Sequence, residues 1–188
     1  PEATAAMVRV FIEQGIQDLP WKVFCCGSMF RYERPQKGRF REFYQCSLEV
    51  IGAASVSEDV RLIAMLDALF AQKFNLSDYA LHINYLGCAD DRKTFKKALY
   101  AFLKDHESAL CDTCNKRKDA NILRVFDCKN EGCHKIYKDA PILTDGLCPG
   151  CSGEWKELQD RLEELSISFV HNSKLVRGLD YYNKAIFE

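Results

Sequence analysis

The most constraining feature of this chain is residues 30–45, Phe-Arg-Tyr-Glu-Arg-Pro-Gln-Lys-Gly-Arg-Phe-Arg-Glu-Phe-Tyr-Gln. Arg34, Lys37, Arg39 and Arg41 crowd its centre, and Pro35 and Gly38 punctuate it as a turn rather than a helix. Beyond the turn, residues 42–50 alternate with period two, which predicts a strand with Phe43, Gln45, Ser47 and Glu49 on one face. Tyr44, Cys46, Leu48 and Val50 take the other. Two strand arms joined by a cationic loop form either a solvated hairpin tip or a grip for a polyphosphate. The face carrying Gln45 and Glu49 points to a polar pocket.

Composition narrows the field only modestly. A chain of 188 residues that is 47% hydrophobic can bury a real core, as one large domain or two small ones. The net charge of −1 gives no overall basicity that would announce a nucleic acid, so any such contact must come from local patches such as the 34–41 loop. No run of about 18 apolar residues predicts a membrane span, and no secretory leader is recognisable. The expectation is a soluble, cytoplasmic protein with no membrane partner.

Local patterns predict the other elements. Thr4 is placed to cap a helix over residues 5–14 that Gly15 would end. Strands are predicted over 22–33 and 41–51. Ser55 and Glu58 have capping-box spacing ahead of an amphipathic helix over 57–74, with Leu62, Met65, Leu66, Leu69, Phe70 and Phe74 as its core-packing stripe. Residues 79–85 alternate as a further strand, and His82 within it has no second ligand at local metal spacing. Residues 90–107 read as a helix with Arg92, Lys93, Lys96, Lys97 and Lys104 opposite Phe95, Leu99, Phe102 and Leu103.

Cysteines then dominate. Cys111-x-x-Cys114 and Cys148-Pro-Gly-Cys151 are knuckles, each able to give one Zn(II) two thiolates, with Cys128-x4-Cys133 between them. The expected site joins Cys111, Cys114, Cys148 and Cys151, with Cys128, Cys133 or His134 as substitutes; reduced, partly buried thiols are the alternative. Cys25, Cys26, Cys46 and Cys88 are expected to be small apolar packing residues.

Phe-Arg-x-Glu, a basic loop and Arg-x-Phe-x-Gln together resemble motif 2 of class II aminoacyl-tRNA synthetases, in the form carried by the histidyl branch. Residues 175–182, Leu-Val-Arg-Gly-Leu-Asp-Tyr-Tyr, resemble that branch's histidine-specific signature, and residues 1–5, Pro-Glu-Ala-Thr-Ala, resemble its bacterial Arg-Pro-Glu-Gly-Thr-Ala segment with Ala3 in place of Gly. The match spans essentially the whole chain and is loosest over residues 88–165.

The resemblance implies the chemistry. Amino-acid activation needs two anions held in line and charge spread over an α-phosphate, with no nucleophilic side chain. Arg31 and Arg177 would be the catalytic arginines on that phosphate, a bidentate guanidinium suiting the task better than lysine. Glu33 and Arg39 would join them around ATP, which is expected with Mg2+. Glu2, Thr4 and Gln45 would receive the α-ammonium of histidine, with Ala3 in the same site and its methyl crowding the approach to the ligand, and Glu49 and Tyr182 would bracket the imidazole with Tyr181 adjoining. The product would be histidyl-adenylate, transferred to tRNA(His).

The resemblance implies an α+β fold: a class II synthetase-like antiparallel sheet with flanking helices, plus a helical, cysteine-bearing insertion domain. Residues 1–86 would form the first part of the catalytic core, 87–165 the insertion and 166–188 the second part. The chain is expected to be a catalytic-domain fragment, weakly active or inactive alone, of a homodimeric parent whose motif 1, motif 3 and anticodon-binding domain lie elsewhere. One rival is a non-catalytic paralogue, such as the regulatory subunit of ATP phosphoribosyltransferase. Such relatives lose parts of motifs that are intact here. A second rival, a stand-alone zinc module binding nucleic acid, leaves the first 75 or so residues unexplained and has no aromatic stacking pattern behind it.

Overall fold

The computed structural model describes residues 3–34, 36–177 and 182–188. The chain divides into two compact units, residues 1–58 and 59–188.

The first unit is built on a hairpin. Helix α1 (Thr4–Glu13) precedes strands β1 (Trp21–Phe30) and β2 (Glu42–Ile51), which pair antiparallel from Trp21 opposite Ile51 to Phe30 opposite Glu42. The chain leaves α1 through Gly15, whose φ of 58° is the left-handed geometry that closes a helix. Along β1 exposure alternates strictly, and on β2 the residues 43, 45, 47 and 49 form the more sheltered face, with Ser47 buried. Phe24, Phe30, Tyr32 and Tyr44 are exposed.

Two local expectations change here. Thr4 is the first residue of the helix rather than its cap, and its hydroxyl donates to Glu49 Oε1 at 2.6 Å. Ser55 Oγ accepts from the Ser57 N–H at 3.2 Å at the start of the next helix, and the Glu58 carboxylate receives Lys22 Nζ at 2.8 Å. Cys26 and Cys46 are not lone packing residues. They stand directly opposite in the β1–β2 register, with Cα atoms 4.1 Å apart, and are joined as a disulfide.

The second unit contains a small mixed sheet in the order β4-β3-β5, from β3 (Leu81–Tyr85), β4 (Phe169–His171) and β5 (Ala185–Phe187). β3 runs antiparallel to β5 and parallel to β4. A parallel neighbour cannot be reached by a tight turn, and the connection from β3 to β4 is a long, largely helical crossover. It comprises α3 (Ala89–Asp105), α4 (Asp112–Ala120), α5 (Glu131–Ile136), several 3-10 turns and α6 (Pro149–Glu164).

Helix α2 (Val56–Ala68) loosens into a π-helical turn over Leu69–Lys73. Its buried residues are Val60 and Ile63, while Met65 and Phe74 of the expected stripe are exposed. The apolar pattern is ambiguous by one helical position, and only the packing chooses between the readings.

On α3 the i, i+4 series Asp91, Phe95, Leu99 and Leu103 is buried, and its three apolar members pack the core. Ile122, Leu123, Val125, Tyr137, Leu143, Leu175 and Ile186 are among the other members of that core. Trp155 of α6 packs on Tyr85 and His171, with ring centres 5.8 and 5.1 Å away. The Tyr85 hydroxyl donates to Glu154, which also receives Lys184 Nζ at 2.7 Å, so α6 is tied to the sheet through one carboxylate. Burial and that carboxylate push the Tyr85 phenol far above its ordinary pKa.

Gly87, between β3 and α3, has φ 63°, and a Cβ there would meet Asp91 Cβ at 2.7 Å and Leu147 Cδ2 at 2.8 Å. Gly87→Ala therefore combines left-handed strain with a clash in the buried helix start. We expect a loss of about 2–4 kcal/mol in urea unfolding, whereas Gly38→Ala, at φ 75° in open space, should cost about 1 kcal/mol. Equal losses at the two positions would contradict this account.

Candidate active site

The sheltered face of the β1–β2 hairpin collects polar groups over an apolar floor. Gln45 lies opposite Gly27 and Glu49 opposite Val23, so the neighbours of both are small or apolar. The Gln45 amide donates to Ser47 Oγ at 2.8 Å, and Glu49 Oε1 accepts from Thr4, whose helix begins beside the buried Ala3. The pairing of Thr4 with Glu49 joins residues 45 apart in sequence.

Arg31 leaves the end of β1 with its guanidinium 4.3 Å from the centre of the Phe43 ring. Its N–H donates to Arg41 O at 2.7 Å, which keeps the two arms paired beyond the strands. Arg39 Nε forms an ion pair with Glu33, and Arg41 Nε donates to Glu33 O at 3.1 Å. Gln36 and Arg39 exchange backbone hydrogen bonds at 3.2 and 2.9 Å around Gly38, which closes the tip. The loop thus holds its cations in a folded hairpin end.

In the second unit, Asn84 is buried in β3, and its Nδ2 donates to Leu175 O at 3.0 Å. Asn172 N–H also donates to Ile83 O at 2.9 Å, so residues 172–175 are clamped to β3. Leu175 is buried and Arg177 is exposed, with a guanidinium nitrogen 3.9 Å from the Glu188 carboxylate. The Tyr182 carbonyl accepts from Arg92, and Tyr182 packs against the core. Glu2 and Tyr181 lie outside the described residues.

The expected knuckle pairing is corrected by the geometry. Cys111 and Cys114 gather with Cys128 and Cys133, whereas Cys148 and Cys151 gather with Cys88 and Asp91. The reason is topological: α6 begins beside the start of α3, where Asp91 Oδ1 accepts from Cys148 N–H at 2.9 Å and Oδ2 from Cys88 N–H at 3.1 Å. Cys88 is therefore no mere packing residue. His134 is diverted too, because its Nε2 meets the Cys128 carbonyl. Either cluster offers a donor set that could hold a metal ion.

Electrostatics in the clusters follows from burial and N–H donors. Burial pushes Asp91 up, but the Cys151 thiol and the N–H groups of Cys88 and Cys148 outweigh it and hold the carboxyl well below its usual range. Burial, with Asp91 beside it, pushes the Cys151 thiol up to about 12. In the other cluster the Cys114 N–H draws the Cys111 thiol down, while burial raises Cys114 and Cys133.

Comparison with known proteins covers both units. Residues 1–185 match the model of the tRNA synthetase class II core domain (G, H, P, S and T). The chain belongs to the class II tRNA synthetase core family. Among its relatives is a histidine–tRNA ligase of Desulfosudis oleivorans, 45% identical over 190 residues that make up all of this chain and 45% of the relative. Another, from Campylobacter lari, is 46% identical over 191 residues and is covered to 46%. The crystal structure of apo Staphylococcus aureus histidyl-tRNA synthetase superposes with a TM-score of 0.76 at 31% identity, over all of this chain and 44% of that one. The chain thus spans about half the length of the curated relatives it matches.

Within this class II core, sequence reasoning overlooks Cys88 and Asp91. Their i, i+3 spacing is that of a knuckle, and a carboxylate in the second position hides it. It also overlooks Lys118, buried at the foot of α4 and paired with Glu107 at 2.8 Å.

Proposed function

We propose that this chain supplies about half of a histidine–tRNA ligase, which activates L-histidine with ATP to histidyl-adenylate and transfers it to tRNA(His). The observation that carries the reading is the shared hairpin face of Gln45 and Glu49, with Thr4 bonded to Glu49 and Arg31 at the strand end. The names of the relatives agree, and none of those three is a regulatory paralogue.

In this reading Arg31 and Arg177 grip the α-phosphate. A carboxylate oxygen of histidine attacks the α-phosphorus, the bond to the bridging oxygen breaks and pyrophosphate leaves. The two guanidiniums take up charge that grows on the equatorial oxygens. Glu33 and Arg39, already paired, border the nucleotide, and magnesium would accompany the phosphates as charge compensation. Thr4 and Gln45, with Glu2 and the backbone at Ala3, receive the ammonium group. Glu49 holds one carboxylate oxygen on Thr4 and accepts an imidazole N–H with the other, while Tyr182 and Tyr181 close the ring site. A carboxylate left unpartnered by another side chain would penalise wrong amino acids.

We assign residues 87–165 to a helical, cysteine-bearing insertion between the two core parts, 1–86 and 166–188. The sheet neighbours β3 and β4 flank that segment, which supports the division. Along α3, Arg92, Lys93, Lys96 and Lys97 line a groove of about 680 Å³ with Lys118, a cationic surface suited to the tRNA backbone. The exposed aromatic face of the hairpin supports coverage by further chain or by a second copy in a homodimer. Among the described residues no helix is long and apolar enough to cross a membrane, and we assign the enzyme to the cytoplasm with the translation machinery.

The test is amino-acid-dependent ATP–pyrophosphate exchange by the full-length enzyme that carries this chain. Histidine alone should support exchange, and Glu49→Ala should lower kcat/KM for histidine by about 100-fold through the lost carboxylate contact. Exchange indifferent to the amino acid would overturn the reading.

A further inference from the structure

We propose that the protein holds two separate structural zinc ions, one in an all-cysteine site formed by Cys111, Cys114, Cys128 and Cys133, the other in a mixed thiolate–carboxylate site formed by Cys88, Cys148, Cys151 and Asp91. In each set the donor atoms all lie within 4.8 Å of one another. A tetrahedral zinc with bonds to sulfur of about 2.3 Å has edges of about 3.8 Å. Cys111 Sγ and Cys128 Sγ are 3.8 Å apart, which is that edge.

The surroundings of the first site are those of thiolates. Cys111 N–H donates to Cys133 Sγ at 3.4 Å and Asn130 N–H to Cys128 Sγ at 3.3 Å, so backbone groups support the ligands as an outer shell does. Cys114, Cys128 and Cys133 are buried. The elements carrying these sulfurs are short: α4 has 9 residues and α5 has 6. Helices of that length are marginal without tertiary support, and a four-ligand metal would supply it.

The second site stands where two longer helices start. Cys88 is the N-cap of α3 and Cys148 the N-cap of α6; Asp91 and Cys151 occupy the first turns. Three thiolates and a carboxylate around a divalent ion leave a net negative charge, which the positive ends of two helices favour. Asp91 accepts one N–H on each carboxylate oxygen, and each oxygen keeps a lone pair for a metal. Both sites have four protein ligands and no open position, the pattern of structural rather than catalytic zinc.

The proposal is independent of the ligase assignment. Metal analysis of the protein purified without chelator should find two zinc ions per chain. Cys114→Ser should remove one, Cys151→Ser the other, and the double variant both. Asp91→Asn keeps an acceptor for one of the two N–H groups and loses the carboxylate charge, so it should lower the count from two towards one; an unchanged count would show that Asp91 is only a cap. A native count of one zinc that both Cys114→Ser and Cys151→Ser abolish would mean one shared site, and less than a tenth of an equivalent in the native protein would mean no site. As a check that needs no variant, cobalt(II) added to the metal-free native protein should develop tetrahedral thiolate charge-transfer bands that saturate at two equivalents. Saturation at one equivalent, or a native protein carrying iron and sulfide, would overturn the proposal.

Discussion

Replacing Arg31 or Arg177 with alanine in the full-length enzyme is expected to lower histidine-dependent ATP–pyrophosphate exchange by about 100- to 1,000-fold, the usual effect of deleting one preorganised donor to a developing anion. That factor corresponds to about 3–4 kcal/mol of transition-state stabilisation. Fold stability should barely change, because Arg177 is exposed and the stacking of Arg31 on Phe43 is worth only about 0.5–1 kcal/mol at such a site. Arg31→Lys should recover little, since a point charge cannot hold two oxygens in one plane. Arg124→Ala is the control: that side chain is half exposed, pairs with Asp127 at 3.3 Å and should leave exchange unchanged. A loss below tenfold at both Arg31 and Arg177 would remove the α-phosphate assignment.

The second large effect is on stability alone. Leu99 has no exposed surface and sits mid-helix in α3 amid the core of the second unit. Leu99→Ala leaves a cavity that the flanking Phe95 and Leu103 cannot fill without moving the helix, and should cost about 3–5 kcal/mol. Urea unfolding followed by circular dichroism measures it, and a change under about 1 kcal/mol would mean that the core relaxes as loosely packed helices do. Tyr100→Ala, one position on and exposed, should cost far less.

How much of the molecule is legible in its sequence follows the range of the interactions involved. The hairpin is, because alternation, Pro35, Gly38 and the cationic loop are properties of adjacent residues, and the face carrying Gln45 and Glu49 follows from counting by two. The α3 stripe is legible for the same reason with a longer period. The start of α1 is misjudged because the Thr4 hydroxyl has a stronger partner in Glu49, from a strand that local capping rules cannot see. Cys26 and Cys46 read as small apolar residues until the register sets them face to face.

The sequence by itself determined the cationic hairpin, the helix faces and, through the resemblance of its motifs, the class of chemistry. Which cysteines stand together was decided only by the tertiary structure. Spacing along the chain favoured joining the two Cys-x-x-Cys knuckles, whereas the long crossover between parallel strands carries the start of α6 back to the start of α3, where Cys148 meets Asp91 across 57 residues of sequence. Partnership between side chains so distant in sequence is set by topology and packing, and no local pattern encodes either.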